Sequence, residues 1–164
     1  MKKSLKTVLV GKLETAELNL LYKSYDIVGD IAVIRVPEKL KQHSRLIAEA
    51  VMQTHKRVKT VLRQTSPVSG DLRLRELEWV EGETKTETLY REFGCAFRVD
   101  LAECYFSPRL SHERMRIAQL VQPGEMVVNM FAGVGCYSIL IAKHSEAQKI
   151  YSIDISPVAV QHMR

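Results

Sequence analysis

Residues Met126 to Asp154 constrain this chain more than any other stretch. An apolar run, Met126 to Phe131, reads as a buried parallel strand, a glycine turn follows from Ala132 to Gly135, and Tyr137 to Lys143 reads as a helix. A further apolar strand, Lys149 to Ile153, ends in Asp154. That is a β-turn-α-β unit, whose ligand crevice lies at the carboxyl ends of the strands. Glycine lets the backbone approach a ligand there. Asp154 can accept hydrogen bonds from both hydroxyls of a ribose.

A dinucleotide and S-adenosyl-L-methionine (AdoMet) both suit such a unit. The dinucleotide fingerprint is G-x-G-x-x-G, with a pyrophosphate on the helix N-terminus. Here the turn runs Gly133-x-Gly135-x-x-Ser138, without the third glycine. AdoMet needs the close backbone and the acid but no pyrophosphate cradle, so the form of the turn favours it. A bare βαβ core with no ligand stays open on this ground alone.

The 164 residues are 46% hydrophobic and 26% charged, which suits a soluble globular chain of one or two small domains. No apolar run approaches the ~20 residues a membrane span needs, so no membrane partner is expected. The start, Met-Lys-Lys-Ser-Leu-Lys, is basic, but only Thr7 to Val10 is apolar after it, too short for a signal-peptide core. Cys95, Cys104 and Cys136 form no CxxC pair, and the histidines show no HExxH spacing. No metal site is expected, and free thiols suit a cytoplasmic, reducing compartment. The net charge of +5 matters less than its placement. Between Thr54 and Arg75 stand Lys56, Arg57, Lys59, Arg63, Arg73 and Arg75 against one acid, Asp71. This is either a solvated strand face or a surface that meets phosphates.

Residues 1–23 are weakly patterned. Tyr25 to Val36 reads as strand, turn or bulge at Gly29-Asp30, then strand, and Pro37 stops it. Glu38 to His55 reads as a helix with Leu40, Ile47, Ala50 and Val51 on one stripe. Arg57 to Gln64 alternates as a strand, Thr65 to Asp71 is turn chemistry, and Leu72 to Val80 alternates again. Glu81-Gly82-Glu83 is a turn, and Thr86 to Arg91 and Ala96 to Leu101 are extended. Ser107 can cap the next helix, with Pro108 at its first position. On that helix Arg109 and Glu113 stand four apart and share a face. Ser156 and Pro157 open another helix, soon before Arg164. A sheet of only two parallel strands cannot cover its faces, so a C-terminally truncated piece of a larger protein is expected. No internal repeat appears.

The run Tyr-Phe-Ser-Pro-Arg-Leu-x-x-Glu-Arg (105–114), followed by Asn-Met-Phe-Ala-Gly-Val-Gly (129–135), resembles a known family. The chain looks like the archaeal and eukaryotic-type tRNA (guanine-37) N1-methyltransferases, class I AdoMet enzymes. Ser24 to Ile34, Val58 to Arg63, Ser69 to Glu78 and Tyr151 to Pro157 also match, so the likeness spans Ser24 to the end. It implies an α/β protein: residues 1–23 unassigned, a small α+β domain over 24–103, then the incomplete start of a Rossmann-like methyltransferase domain over 104–164.

The resemblance also implies roles. Glu113 would be the general base toward guanine N1, although spacing alone would make it only a helix partner of Arg109. Arg73 would face the guanine O6, where negative charge builds, a task suited to a permanently charged guanidinium. Tyr105 and Arg109 would position the target nucleotide and the methionine end of AdoMet. Met130, Phe131, Ala132, Gly133, Gly135 and Ile155 would line the AdoMet pocket, with Asp154 on the ribose. The macromolecular partner would be the anticodon loop of a tRNA. Asn129 departs from the family's common aspartate, Cys136-Tyr137 from its frequent Pro-Phe, and the base-holding Asn-Pro-Pro-Tyr-like loop is absent. The related wyosine-pathway aminocarboxypropyl transferases share the AdoMet turn, and some archaeal relatives methylate a wyosine intermediate at carbon. A non-catalytic RNA-binding module is the reading from a different class.

Overall fold

The computed structural model describes residues 4–164. The basic residues Lys2 and Lys3 therefore lie outside the described residues. Two compact units emerge, one of residues up to 68 with 75–86, the other of 69–74 with 87–164.

The first unit begins with α1 (Leu5–Leu9) and α2 (Thr15–Leu20). The Thr7 N–H donates to Ser4 Oγ at 3.2 Å, which caps α1. Glu14 and Glu17 form a reciprocal capping box on α2. Pattern alone said little here, yet Leu9, Leu13 and Leu21 are buried in the core around α3 (Ser44–Thr54). The sheet takes β1 (Asp26–Val28), β2 (Ile31–Ile34), β3 (Thr60–Gln64) and β4 (Leu77–Gly82), in that spatial order. The turn at Gly29-Asp30 makes β1 and β2 antiparallel, whereas the crossover through α3 makes β2 and β3 parallel. Ala32, Ile34 and Val61 pack with Ile47, Ala50 and Val51 of α3.

Two expectations change here. The helix read over 38–55 is a 3-10 segment, Glu38–His43, before α3 begins. Ser44 Oγ donates to the Lys41 carbonyl at 2.6 Å, at the joint between them. The strand read over 72–80 forms only from Leu77 on. Residues 69–74 instead close a tight turn, with the Arg73 N–H donating to the Gly70 carbonyl at 3.0 Å. The alternation of Leu72 and Leu74 was outweighed by the turn chemistry of Gly70-Asp71.

The second unit opens with a hairpin of β5 (Glu87–Glu92) and β6 (Cys95–Asp100). A 3-10 turn, Pro108–Leu110, leads into α4 (Ser111–Leu120). β7 (Met126–Asn129) and β8 (Lys149–Ser152) pair in parallel across α5 (Cys136–His144), and α6 (Pro157–Met163) closes the unit. Phe97, Val99, Ala118, Val134 and Leu140 are buried. The units divide at 86/87, whereas the sequence suggested 103/104. The hairpin packs on α5 and α6, so it belongs with those helices. Ser107 makes no side-chain cap; α4 starts later, at Ser111. β7 is not fully buried as expected: Met126 is 68% exposed, and Phe131 just beyond it is 87% exposed. Only one face of this pair carries a packed helix among the described residues; the other, with Met126, Val128 and Tyr151, is open.

Candidate functional site

A cavity of about 670 Å³ lies at the carboxyl ends of β7 and β8, wholly within the second unit. Its wall combines the 69–74 turn (Asp71, Leu72, Arg73), Glu103 to Tyr105, the glycine turn (Met130, Phe131, Gly133) and Ile153 to Ser156. Seven of the residues singled out by sequence thus share one wall: Arg73, Tyr105, Met130, Phe131, Gly133, Asp154 and Ile155.

The two glycines of the turn do different work. Gly133 has φ +54, and a Cβ there would meet nothing within 4 Å. Its backbone is bare toward the cavity. Gly135, at φ +80, stands back as the first residue before α5, and a Cβ there would come within 2.6 Å of Met163 Cγ. Gly135 therefore admits α6 rather than a ligand, a correction to its expected place in the pocket lining. Ala132 is likewise buried beneath the turn, its N–H donating to the Ile153 carbonyl at 2.9 Å, and is absent from the wall.

Asp154 fastens the turn. Its Oδ2 accepts the Gly133 N–H at 2.6 Å and its Oδ1 accepts the Ser156 N–H at 2.9 Å. Each carboxylate oxygen keeps a further lone pair for a ligand hydroxyl. Asn129 turns away to α5, donating from Nδ2 to Ser138 Oγ at 3.0 Å, and Ser152 Oγ donates to the same hydroxyl at 2.7 Å. Asn129, which stands where the family commonly has aspartate, thus ties β7, α5 and β8 together beneath the turn.

Arg73 occupies the left-handed backbone region at φ +53. Such a conformation costs a non-glycine residue ~1–3 kcal/mol and clusters at functional sites. Its guanidinium lies 5.3 Å from the Tyr105 ring centroid, a cation–π contact on the cavity wall. Asp71, Glu103 and Asp154 outnumber this one cation on the wall. An acid-rich wall suits a cationic ligand and repels a pyrophosphate. Glu103 belongs to no recognisable pattern, and Asp71, though within the turn and the matching stretch Ser69 to Glu78, was given no place at the site. The nearby thiols offer no nucleophile, since burial pushes Cys104 up to about 11 and Cys136 up to about 12.

Glu113 and Arg109 are not on this wall. Glu113, in the first turn of α4, accepts from Arg116 Nε at 2.8 Å and Nη2 at 2.7 Å. The hydrogen bond from Arg116 holds its carboxyl below the usual glutamate value of 4.5. Arg109 lies in the 3-10 turn before α4, where residue spacing differs from that of an α-helix. Arg109 is exposed there. Among the described residues no cluster of His, Cys, Asp and Glu could hold a metal, and no helix is long and apolar enough to cross a membrane.

Two family descriptions match the chain: "TRM5/TYW2 methyltransferase domain" over residues 88–164 and "TYW2 N-terminal domain" over 5–86. The tRNA (guanine(37)-N(1))-methyltransferase Trm5b of Pyrococcus abyssi is 46% identical over 140 residues, which cover 85% of this chain and 42% of that protein. A solved complex of aTrm5 and tRNALeu superposes with a TM-score of 0.88 at 38% identity, over 99% of this chain and 48% of that one. P. horikoshii TYW2 in complex with MeSAdo superposes with a TM-score of 0.76 at 31% identity, over 99% of this chain and 57% of that one. The chain spans about half the length of these relatives.

Proposed function

The chain belongs to the TRM5/TYW2 methyltransferase family, and on that premise we propose that its full-length protein transfers a methyl group from AdoMet to N1 of guanosine 37 in the anticodon loop of a tRNA. The observation that carries the reading is the single cavity wall that unites Asp154 and the glycine turn with Arg73 and Tyr105.

The residues present fit AdoMet. Gly133 bares its backbone, Asp154 keeps lone pairs for ribose hydroxyls, and Met130, Phe131 and Ile155 offer apolar surface to an adenine ring. The surplus of acids favours a sulfonium over a dinucleotide. When bound, AdoMet supplies an electrophilic methyl group. Neutral guanine carries a proton on N1, and Glu113 is the residue we assign to remove it. Arg73 faces O6 and stabilises the charge that grows there. Tyr105 and Arg109 hold the nucleotide and the methionine end. A carboxylate paired with an arginine is a weak base, so Glu113 must exchange its Arg116 contact when RNA arrives. We place the activity in the cytoplasm.

A second reading, aminocarboxypropyl transfer in the wyosine pathway, draws on the TYW2 match over residues 5–86. The 46% identity to a guanine-37 N1-methyltransferase favours methyl transfer, and methylation of a wyosine intermediate at carbon is a variant of the same chemistry. A non-catalytic RNA binder would have no use for the Asp154–Gly133 contact. The test is to incubate full-length protein with methyl-labelled AdoMet and unmodified tRNA and to analyse the nucleosides. Labelled 1-methylguanosine at position 37 is expected. A product carrying the aminocarboxypropyl group, or no transfer in a preparation that binds tRNA, overturns the reading.

A further inference from the structure

The most thoroughly buried charges in the second unit lie outside the cavity wall. Arg114 and Glu92 are 2% and 8% exposed. Arg114 Nε donates to Glu92 Oε1 at 2.6 Å and Nη2 to Oε2 at 2.8 Å, a two-pronged pair between α4 and β5. Arg114 Nη1 donates to the Ser107 carbonyl at 3.1 Å. The same guanidinium lies 5.4 Å from the Phe106 ring centroid, and Phe106 meets Tyr90 edge-on at 4.9 Å. Every charged prong of this cluster is satisfied, and together they join β5, the 105–110 loop and α4.

Such a cluster is poorly explained as a stability device. Taking two ions out of water cancels most of their attraction, and apolar residues of similar size often replace a buried pair without loss. What an apolar contact lacks is direction. The planar guanidinium satisfies its donors in one orientation only, so the pair fixes how α4 is turned about its own axis. Neighbouring residues on a helix point about 100° apart, so the direction of Glu113 follows from that of Arg114. The bond to the Ser107 carbonyl extends the constraint to the loop carrying Tyr105 and Arg109. We propose that Arg114 and Glu92 are a positioning pair for methyl transfer, setting the rotation of α4 and the loop before it so that Glu113, Tyr105 and Arg109 are aimed at the target nucleotide. The proposal rests on the reading of Glu113 as base.

The test replaces both members in the full-length protein, Glu92→Met with Arg114→Met, removing the direction while keeping apolar bulk. Thermal unfolding is expected to stay close to that of the native protein. Binding of AdoMet and of tRNA is expected to change less than about threefold, because neither residue lines the cavity. Single-turnover methyl transfer is expected to fall by about a hundredfold, since a misplacement of ~1 Å can cost ~10² in rate. Amide exchange over Ser107 to Ala118 is expected to quicken, with β3 unchanged. Wild-type transfer in the folded double variant overturns the proposal, as does slow transfer with unchanged exchange. If the double variant does not fold, Arg114→Lys takes its place: charge is kept but the fork is lost, and wild-type transfer there is equally fatal. Glu113→Gln runs alongside. If it transfers at the wild-type rate, the assignment of the base fails, whereas the exchange measurement still reports whether the pair holds α4.

Discussion

α4 carries two arginines two positions apart, and each grips a glutamate through Nε and Nη2 at 2.6 to 2.8 Å. The geometry is the same and the surroundings are opposite. Side chains of the Arg114–Glu92 pair are 3% and 4% exposed, those of Arg116–Glu113 57% and 44%. Water screens the outer pair and competes for its donors, so it is a contact that RNA can displace. The inner pair has no water to fall back on. One arginine orients the helix; the other parks a carboxylate on its surface. Distance alone would have ranked them together, and only burial separates them.

The largest contrast should come from breaking each pair at its arginine. Arg114→Met leaves Glu92 buried without its cation, and removing one partner of a buried pair typically costs ~3–5 kcal/mol. Arg116→Met should not shift the denaturation midpoint measurably. Urea unfolding of the two variants checks this, and equal midpoints would abolish the distinction.

Acid provides the next test. Burial opposes ionisation of Glu92, but the hydrogen bonds from Arg114 and Ser111 and the charge of Arg114 outweigh it and hold the carboxyl below the ordinary 4.5. A depressed folded-state value means that the pair stabilises fully above 4.5 and loses its contribution as pH falls through the lowered value. The native protein should therefore weaken below that point more steeply than the Glu92→Met/Arg114→Met double variant. Parallel acid profiles would show that Glu92 is not ionised in the fold.

Smaller still is the response of the outer pair. Arg116→Gln should bring the Glu113 carboxyl back up toward 4.5, because the hydrogen bond from Arg116 is the chief cause of its depression. Carbon-13 titration of the glutamate carboxyls would register this, and an unmoved Glu113 would mean the pair does not form in solution. Added salt should erode the Glu113 shift in the native protein and leave Glu92 nearly untouched, since a Debye length of ~10 Å at ~0.1 M reaches exposed charges and spares buried ones.

What could be read in advance was local. The glycine turn, the place of Asp154 at the strand tip and the Ser156 cap on α6 are set by neighbours in sequence and form as expected, whereas the Gly133–Asp154 contact joins residues 21 positions apart. The Arg114–Glu92 pair joins residues 22 positions apart. In sequence, Glu92 merely follows the extended piece Thr86 to Arg91, and Arg114 closes the run 105–114, with nothing to link the two. The 69–74 turn shows the same limit: its Ser-Gly-Asp chemistry was visible, but its membership of the second unit was not. Spacing alone pointed Glu113 to Arg109, whereas the contact seen on α4 is with Arg116, three positions on. The first two concern partners that only tertiary packing supplies; the third is a choice between neighbours in sequence.

The open face of β7 and β8 bears on how this chain behaves at the bench. Met126, Val128 and Tyr151 expose 68%, 56% and 44% of their surfaces, on a sheet of two strands among the described residues. Oily patches beside unpaired strand edges recruit whatever can shield them, a dye, a detergent or another copy. Concentrated preparations of the 164-residue chain should accordingly scatter light and brighten a hydrophobic probe. A single charge placed at Val128 should restore clarity without touching the cavity wall.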